Sequence, residues 1–215
     1  MKRRRASNAM VTPGREGESR AAIVAAAERL FLEDGFGGVS MDDLAASAGV
    51  ARRTLYNQFG SKEEIFRAML VQVSDQLERA LPPGIETRGD ADNVLLLIAR
   101  GILEFLQRPG YFGLVRMVVA DSRRFPWVAE AFAALVEPRM ERLARYLAHL
   151  TAVRILGCRN PVLAAYQFTG LIHEVFLWPR IMGRRGPSLS AEEVAEEAVR
   201  MFLQRYRLPR PPRRS

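Results

Sequence analysis

The chain has 215 residues, of which 48% are hydrophobic and 26% are charged, and this balance is ordinary for a globular protein with a buried core. Cys158 is the only cysteine, which excludes an internal disulfide and a cysteine-rich metal site. Apolar runs such as residues 94–99 are far too short to span a bilayer, and the N-terminus lacks the apolar region of a signal peptide. We therefore expect a cytoplasmic protein without a membrane segment.

The net charge of +8 is concentrated at the two ends of the chain. Residues 1–15 and residues 205–215 each contain five basic side chains and no acidic one, so the residues between them carry a slight excess of negative charge. We expect residues 1–14 to form a flexible basic arm and residues 209–215 a basic tail. Because basic tails favour polyanions without selecting one, RNA binding or membrane-surface binding through the tails stays open as an alternative.

Almost every periodic segment indicates a helix, and no alternating strand pattern is found. Three capping boxes mark helix starts, at Ser40–Asp43, Ser61–Glu64 and Ser190–Glu193. Pro138 is expected to kink or divide the helix that contains it. The pattern predicts helices at about 18–34, 40–48, 51–58, 61–80, 91–107, 111–124, 127–156, 161–178 and 190–207. The predicted fold is all-α, with a three-helix domain at 15–62 followed by a larger helical bundle at 63–208.

Residues 41–59 have the spacing of a helix-turn-helix, with "AGV" between two short helices. Gly49 stands where the turn requires a positive φ, and the small Ala45 allows the two helices to approach closely. Winding the second helix at 100° per residue separates an apolar sector from a polar one. The apolar sector holds Ala51, Leu55 and Phe59, and the polar sector holds Arg52, Arg53, Tyr56 and Asn57, with Thr54 at its edge.

This polar sector has the chemistry that the major groove of DNA requires. Arginine forks fit the O6 and N7 atoms of guanine, and hydroxyl and amide groups bind phosphate oxygens or base edges. Ser61 and Lys62 begin the next helix, where backbone N–H groups and an ammonium predict a phosphate site. The alternative is a solvated helix with routine caps.

The segment "GFGGVSMDDLAASAGVARRTLYNQFGSKEEIFRAML" resembles the DNA-binding domain of the TetR family of bacterial transcriptional regulators. The resemblance implies that Arg52, Arg53 and Tyr56 face base edges. It also implies phosphate contacts from a set of polar side chains, namely Ser40, Thr54, Tyr56, Asn57 and Lys62. Asp42 would repel phosphate, so we expect it to face the helix dipole or to pair with an arginine. The later segment "YFGLVRMVVADSRRFPWVAEAFAAL" is similar to the C-terminal domain of the AefR-like and AcrR-like subgroup.

The resemblance also implies a small-molecule pocket in the bundle and a homodimer formed through the last two long helices. The candidate pocket residues are Tyr111, Phe112, Met117, Trp127, Phe132, Tyr166, Thr169, His173 and Phe176. Core packing is the competing interpretation for aromatic and methionine side chains at helical spacing. The 161–178 helix is apolar around most of its circumference, which indicates burial from two directions, either in a dimer or at the centre of a monomer. On one side it carries Val162, Ala165, Tyr166, Thr169 and Phe176, and on another Leu171 and Trp178.

No catalytic constellation is recognisable, because the two histidines lie far apart and no metal-ligand spacing or phosphate-binding glycine loop is present. We expect no catalytic residue, no metal and no cofactor. The sequence therefore predicts a dimeric transcriptional regulator that binds double-stranded DNA at a palindromic operator. It is expected to act as a repressor released by an unidentified apolar or amphipathic small molecule. A small-molecule binder whose helix-turn-helix is silent stays open as a further alternative.

Overall fold

The computed structural model describes residues 13–78, residue 84 and residues 90–209. Most of the predicted arm and tail therefore lies outside the described residues, as does most of the "LPPG" helix stop. Within them the regular elements are helices, and one isolated bridge joins Leu156 to Arg207. The helices are α1 (Pro13–Gly38), α2 (Met41–Ala48), α3 (Arg52–Gln58), α4 (Lys62–Glu78), α5 (Ala91–Leu106), α6 (Tyr111–Asp121), α7 (Pro126–Ala152), α8 (Pro161–Phe176), α9 (Trp178–Ile181) and α10 (Ala191–Tyr206). The all-α prediction is confirmed.

The chain divides into two compact units between Met69 and Leu70, inside α4. The predicted domain boundary, by contrast, lies at the start of that helix. In the first unit, the rings of Phe31, Phe36 and Phe66 meet at centroid distances of 5.4 to 6.0 Å and fill the core. Such tilted and edge-to-face pairs are the favoured arrangement of buried aromatic rings.

Capping chemistry sets several helix starts as predicted. Ser40 and Ser190 each form both halves of a capping box, with Asp43 and Glu193 respectively. Asn160 accepts a hydrogen bond from the N–H of Leu163 ahead of Pro161. The box at Ser61 differs from the prediction, because the carboxylate of Glu64 accepts from the N–H of Gly60 rather than from that of Ser61.

The second unit is built around α8, which packs against α5, α7, α9 and α10. Its inward side chains Ala164, Phe168 and Ile172 are fully buried. Phe168 meets Phe202 of α10 edge to face at 5.1 Å. α8 is therefore buried on the side that faces the other helices of this chain, as predicted, and its opposite side is exposed.

Two helices of this unit differ from the prediction at their ends or middle. α7 is not divided at Pro138, because the proline removes only one backbone donor while Leu135 before it and Leu143 and Tyr146 after it are buried; the kink stays a prediction. α7 then ends at Ala152, where Arg154 adopts a left-handed φ of 59° and closes the helix. α8 ends at Phe176 because Pro179 cannot donate the next helical hydrogen bond.

A buried arginine joins α7 to α4. Arg139 is only 9% exposed, and its Nη2 lies 2.8 Å from both the backbone oxygen and the hydroxyl of Ser74. Its Nη1 also donates to the carbonyl of Leu135. A buried cation is tolerated only when oxygens replace its hydration, and these three acceptors do so for Nη1 and Nη2.

Candidate DNA-binding surface

The third helix is anchored by its apolar sector and presents its polar sector to solvent. Leu55 and Phe59 are fully buried, whereas Arg52, Arg53, Tyr56 and Asn57 are exposed and Thr54 is half-buried. Ala51 is exposed, unlike its predicted partners, because it is the N-cap residue and lies outside the helix. The side chains predicted to face base edges therefore share one accessible surface.

The turn before α3 has the predicted geometry. Gly49 takes a φ of 65° and its N–H donates to the carbonyls of Ala45 and Ala46. The N–H of Val50 donates to the carbonyl of Ala45 at 3.0 Å, and Ala45 is buried where the two helices meet. A larger residue at position 45 would separate α2 from α3.

α3 is also held from α1. Arg20 donates to the carbonyl of Gln58 at 3.2 Å, and its guanidinium lies 4.1 Å from the ring centroid of Phe59. The amide of Gln58 donates in turn to the hydroxyl of Ser19. These contacts fix the C-terminal end of α3, and sequence reasoning missed them because they join residues almost forty positions apart.

Asp42 pairs with an arginine, as expected. Its Oδ1 lies 3.0 Å from Nε of Arg52, and the guanidinium of Arg52 lies 5.6 Å from the ring centroid of Tyr56. A hydrogen bond with Tyr56 and the charge of Asp42 raise the pKa of Arg52 above its ordinary value. Within the described part of the chain, the neighbouring Arg53 forms no ion pair.

Two of the predicted phosphate ligands have other partners in the structure. The hydroxyl of Ser40 donates to Asp43 at 2.6 Å, and this contact lowers the pKa of the Asp43 carboxyl. The ammonium of Lys62 donates to the carbonyls of Phe36 at 2.7 Å and Val39 at 2.6 Å. Carbonyls at a helix end lack partners within the helix, so a cation there closes the end of α1. Sequence reasoning assigned Lys62 to phosphate alone and missed this contact.

Two family models match separate parts of the chain. Residues 23–69 match the family model described as bacterial regulatory proteins of the tetR family. Residues 93–208 match the model of the C-terminal domain of the AefR-like transcriptional repressors. The chain belongs to the TetR family of transcriptional regulators.

Individual relatives are similar to this chain over most of its length. The HTH-type transcriptional regulator EthR of Mycobacterium tuberculosis is 28% identical over 186 residues, which cover 85% of this chain and 84% of EthR. The solved structure of the Flavonoid-responsive Regulator FrrA is 33% identical, with a TM-score of 0.74 over 91% of this chain and all of that one. A TetR-family regulator from Mesorhizobium loti is 24% identical, has a TM-score of 0.76 and covers 90% of this chain, which shows the shared fold.

In this TetR-family chain, some of the residues predicted to line the effector pocket lie close to one another. The ring centroids of Tyr111 and Phe112 are 6.2 Å apart. The guanidinium of Arg180 lies 5.8 Å from the centroid of Phe112 and 4.3 Å from that of Phe176. Burial raises the pKa of Tyr111 to about 12. Met117 is buried, and Trp127 and Phe132 are half-buried.

The polar members of the pocket set behave differently from one another. Thr169 is buried, but its hydroxyl donates to carbonyls of its own helix, at Ala165 and Tyr166, which is ordinary packing for a helical threonine. Burial lowers the pKa of His173, which keeps the imidazole neutral at pH 7. Tyr166 is 56% exposed and lies on the outer face of α8 with Val162 and Leu163. This side of α8 faces solvent in the single protomer, while Ala164 and Phe168 on the other side are buried in the bundle, and the pocket role of Tyr166 stays a prediction.

An open groove of about 1580 Å³ lies between α8 and α10. We name it the α8–α10 groove; its apolar lining includes Leu163, Leu171, Leu189 and Met201. Leu163 and Met201 are each about half exposed. These are the last two long helices, through which the resemblance implies dimerisation.

The described residues contain neither a helix that could span a membrane nor a cluster of metal ligands. None of their helices has the length and apolarity that crossing a membrane requires. Among the same residues, no three histidine, cysteine or acidic side chains form a group that could hold a metal ion.

Proposed function

We propose that this TetR-family regulator is a repressor that binds a palindromic operator as a homodimer and leaves it when a small molecule binds. This proposal rests on the exposed polar sector of α3, which the buried Leu55 and Phe59 hold in place within the matched DNA-binding domain. Arg53, Arg52 and Tyr56 read base edges in the major groove. The protein acts by binding rather than by catalysis, and this role places it in the cytoplasm with the chromosome.

Phosphate contacts fix the register of α3 on the duplex. Thr54 and Asn57 flank the base-reading side chains on α3, and Ser40 and Lys62 lie at the starts of α2 and α4. Lys62 donates to the carbonyls of Phe36 and Val39, and it reaches a phosphate by redirecting one of these donors. Ser40 reaches a phosphate by redirecting the proton that it donates to Asp43.

The second protomer fills the α8–α10 groove. Exposed apolar side chains on both helices, Val162, Leu163, Tyr166 and Met201, form the contact surface. A twofold dimer presents two copies of α3, and these reach successive half-sites only when they stand roughly 34–36 Å apart, or at a multiple of that distance. The operator is therefore palindromic.

The effector that fits this chain is an amphipathic aromatic molecule. The rings of Tyr111, Phe112 and Phe176 and the guanidinium of Arg180 offer stacking and cation–π contacts in one part of the bundle. FrrA, which is 33% identical to this chain, is named as flavonoid-responsive. We therefore propose flavonoids as the first effector class to examine.

A gel-shift experiment on the DNA immediately upstream of the protein's own gene tests this function. With excess random competitor DNA, we expect a shifted complex that contains two protomers, and we expect a flavonoid panel to identify a compound that dissolves it. RNA or anionic vesicles that compete as well as the operator would instead favour binding through the basic tails. A folded dimer that binds a flavonoid but no duplex would indicate a silent helix-turn-helix.

A further inference from the structure

A carboxylate stands among the side chains that the proposed function places against DNA. Asp42 lies in the first turn of α2, and its side chain is 61% exposed. Phosphate repels an exposed carboxylate, so Asp42 lowers the affinity for duplex DNA of any sequence. Its pairing with Arg52 shows what the carboxylate contributes in return.

Asp42 and Tyr56 hold the guanidinium of Arg52 from two helices. Asp42 on α2 takes Nε at 3.0 Å, and the ring of Tyr56 on α3 lies beneath the guanidinium. An arginine side chain otherwise loses much rotamer freedom when it binds a base, so a fixed guanidinium binds at a lower entropic cost. With Nε directed at Asp42, Arg52 meets a base through its terminal Nη1–Nη2 edge. That edge matches the O6 and N7 acceptors of guanine.

We propose that Asp42 is a specificity-determining residue that fixes Arg52 for an end-on contact with one guanine in each half-site. The same carboxylate disfavours the use of Arg52 as a phosphate ligand on random duplexes, because it competes with phosphate for the guanidinium. Asp42 thus lowers affinity for every sequence but lowers it least for the operator. This inference rests on the proposed entry of α3 into the major groove.

Arg53 provides an internal comparison. It follows Arg52 directly on α3 and is also exposed, yet within the described residues no carboxylate pairs with it. The two adjacent arginines therefore differ in their freedom to move. Removing the carboxylate of Asp42 should change the base preference that belongs to Arg52 and leave that of Arg53 unchanged.

The experiment first obtains the operator from a randomised duplex library with the wild-type protein. Every base pair of one half-site is then changed singly, and dissociation constants are measured for the wild type, Asp42→Asn, Arg52→Lys and the double variant. In Asp42→Asn, the preference for one base pair should fall roughly tenfold. This should be the same base pair at which Arg52→Lys loses its preference. The double variant should lose no more than Arg52→Lys does alone.

Random duplex provides the second measurement. Asp42→Asn should bind it more tightly than the wild type, with a slope of log K against log salt that is steeper by about 0.9 for each further phosphate that the variant neutralises. Glu28→Gln, which removes the same charge from an exposed position on α1, is the matched control and should change neither preference nor slope. Thermal unfolding checks that each variant is folded, and Asp42→Ser replaces Asp42→Asn if the latter is not.

Two results would overturn the inference. One is an unchanged preference at every base pair in Asp42→Asn, and the other is an equal change of affinity for operator and random duplex. If the wild-type protein itself enriches no sequence, the proposed function fails, and the inference falls with it. Enrichment by the wild type with no effect of Asp42→Asn defeats the inference alone.

Discussion

Arg53 is exposed on α3, and no carboxylate in the described part of the chain pairs with it, so its guanidinium is available to a base. An arginine that forks onto guanine gives discrimination of about 1–3 kcal/mol at one base pair. Arg53→Ala should therefore weaken operator binding by that amount at one position and relax the preference there.

The control for Arg53 is Arg53→Lys, which keeps the charge but loses the fork. It should relax the same base preference while binding random duplex as the wild type does. Fluorescence anisotropy on the single-base-pair operator series measures both quantities. If Arg53→Ala lost equal affinity for operator and random duplex, Arg53 would be a phosphate ligand instead of a base reader.

Lys62 carries two roles that one substitution separates. Lys62→Met removes charged hydrogen bonds to the carbonyls of Phe36 and Val39, so urea unfolding should show a stability loss of about 1.5–3 kcal/mol. If Lys62 also holds a phosphate, the slope of log K against log salt should fall by about 0.9 for each protomer. A stability loss with an unchanged slope would leave Lys62 as a structural residue only.

At the scale of the helix, α4 is held by a cation in each of the two units. Lys62 at its first residue binds the end of α1, and Arg139 of α7 binds Ser74. Because α4 is continuous between these positions, we propose that it carries the effector signal towards the DNA-binding domain. The Arg139–Ser74 contact would then keep α4 in register with the bundle.

A double-mutant cycle on Ser74→Ala and Arg139→Met measures the part of this contact that the Ser74 hydroxyl makes, because Ser74→Ala keeps the backbone oxygen. We expect urea unfolding to give an interaction energy of about 0.5–3 kcal/mol between the two positions. Arg145→Met is the matched control, because Arg145 lies on the same helix but is exposed, and it should change the free energy of unfolding by less than about 0.5 kcal/mol. Strict additivity of Ser74→Ala and Arg139→Met would show that the Ser74 hydroxyl contributes nothing to the contact in solution.

The helices themselves were predictable wherever a local signal marks their ends. Ser40, Ser190 and Asn160 cap their own helices, and Gly49 takes the positive φ that its turn demands. Contacts between distant residues have no such local signal. Arg139 contacts Ser74 across 65 positions, and no motif near either residue predicts this contact. Periodicity likewise showed that α8 is apolar all round without showing that Tyr166 faces outward, because outward and inward positions carry similar residues.

At the scale of the whole molecule, operator affinity depends on two half-sites being held together. Leu163→Glu or Met201→Glu places a charge on the exposed apolar wall of the α8–α10 groove, and burying that charge against a second protomer would be costly. Either variant should be monomeric by sedimentation velocity. Because a monomer engages one half-site only, its affinity for the full operator should fall by roughly 10²–10⁴-fold. Leu97→Glu, a charge on an exposed apolar position of α5 outside the groove, should leave both the dimer and the affinity unchanged. A dimeric Leu163→Glu variant with full operator affinity would place the dimer contact elsewhere on the molecule.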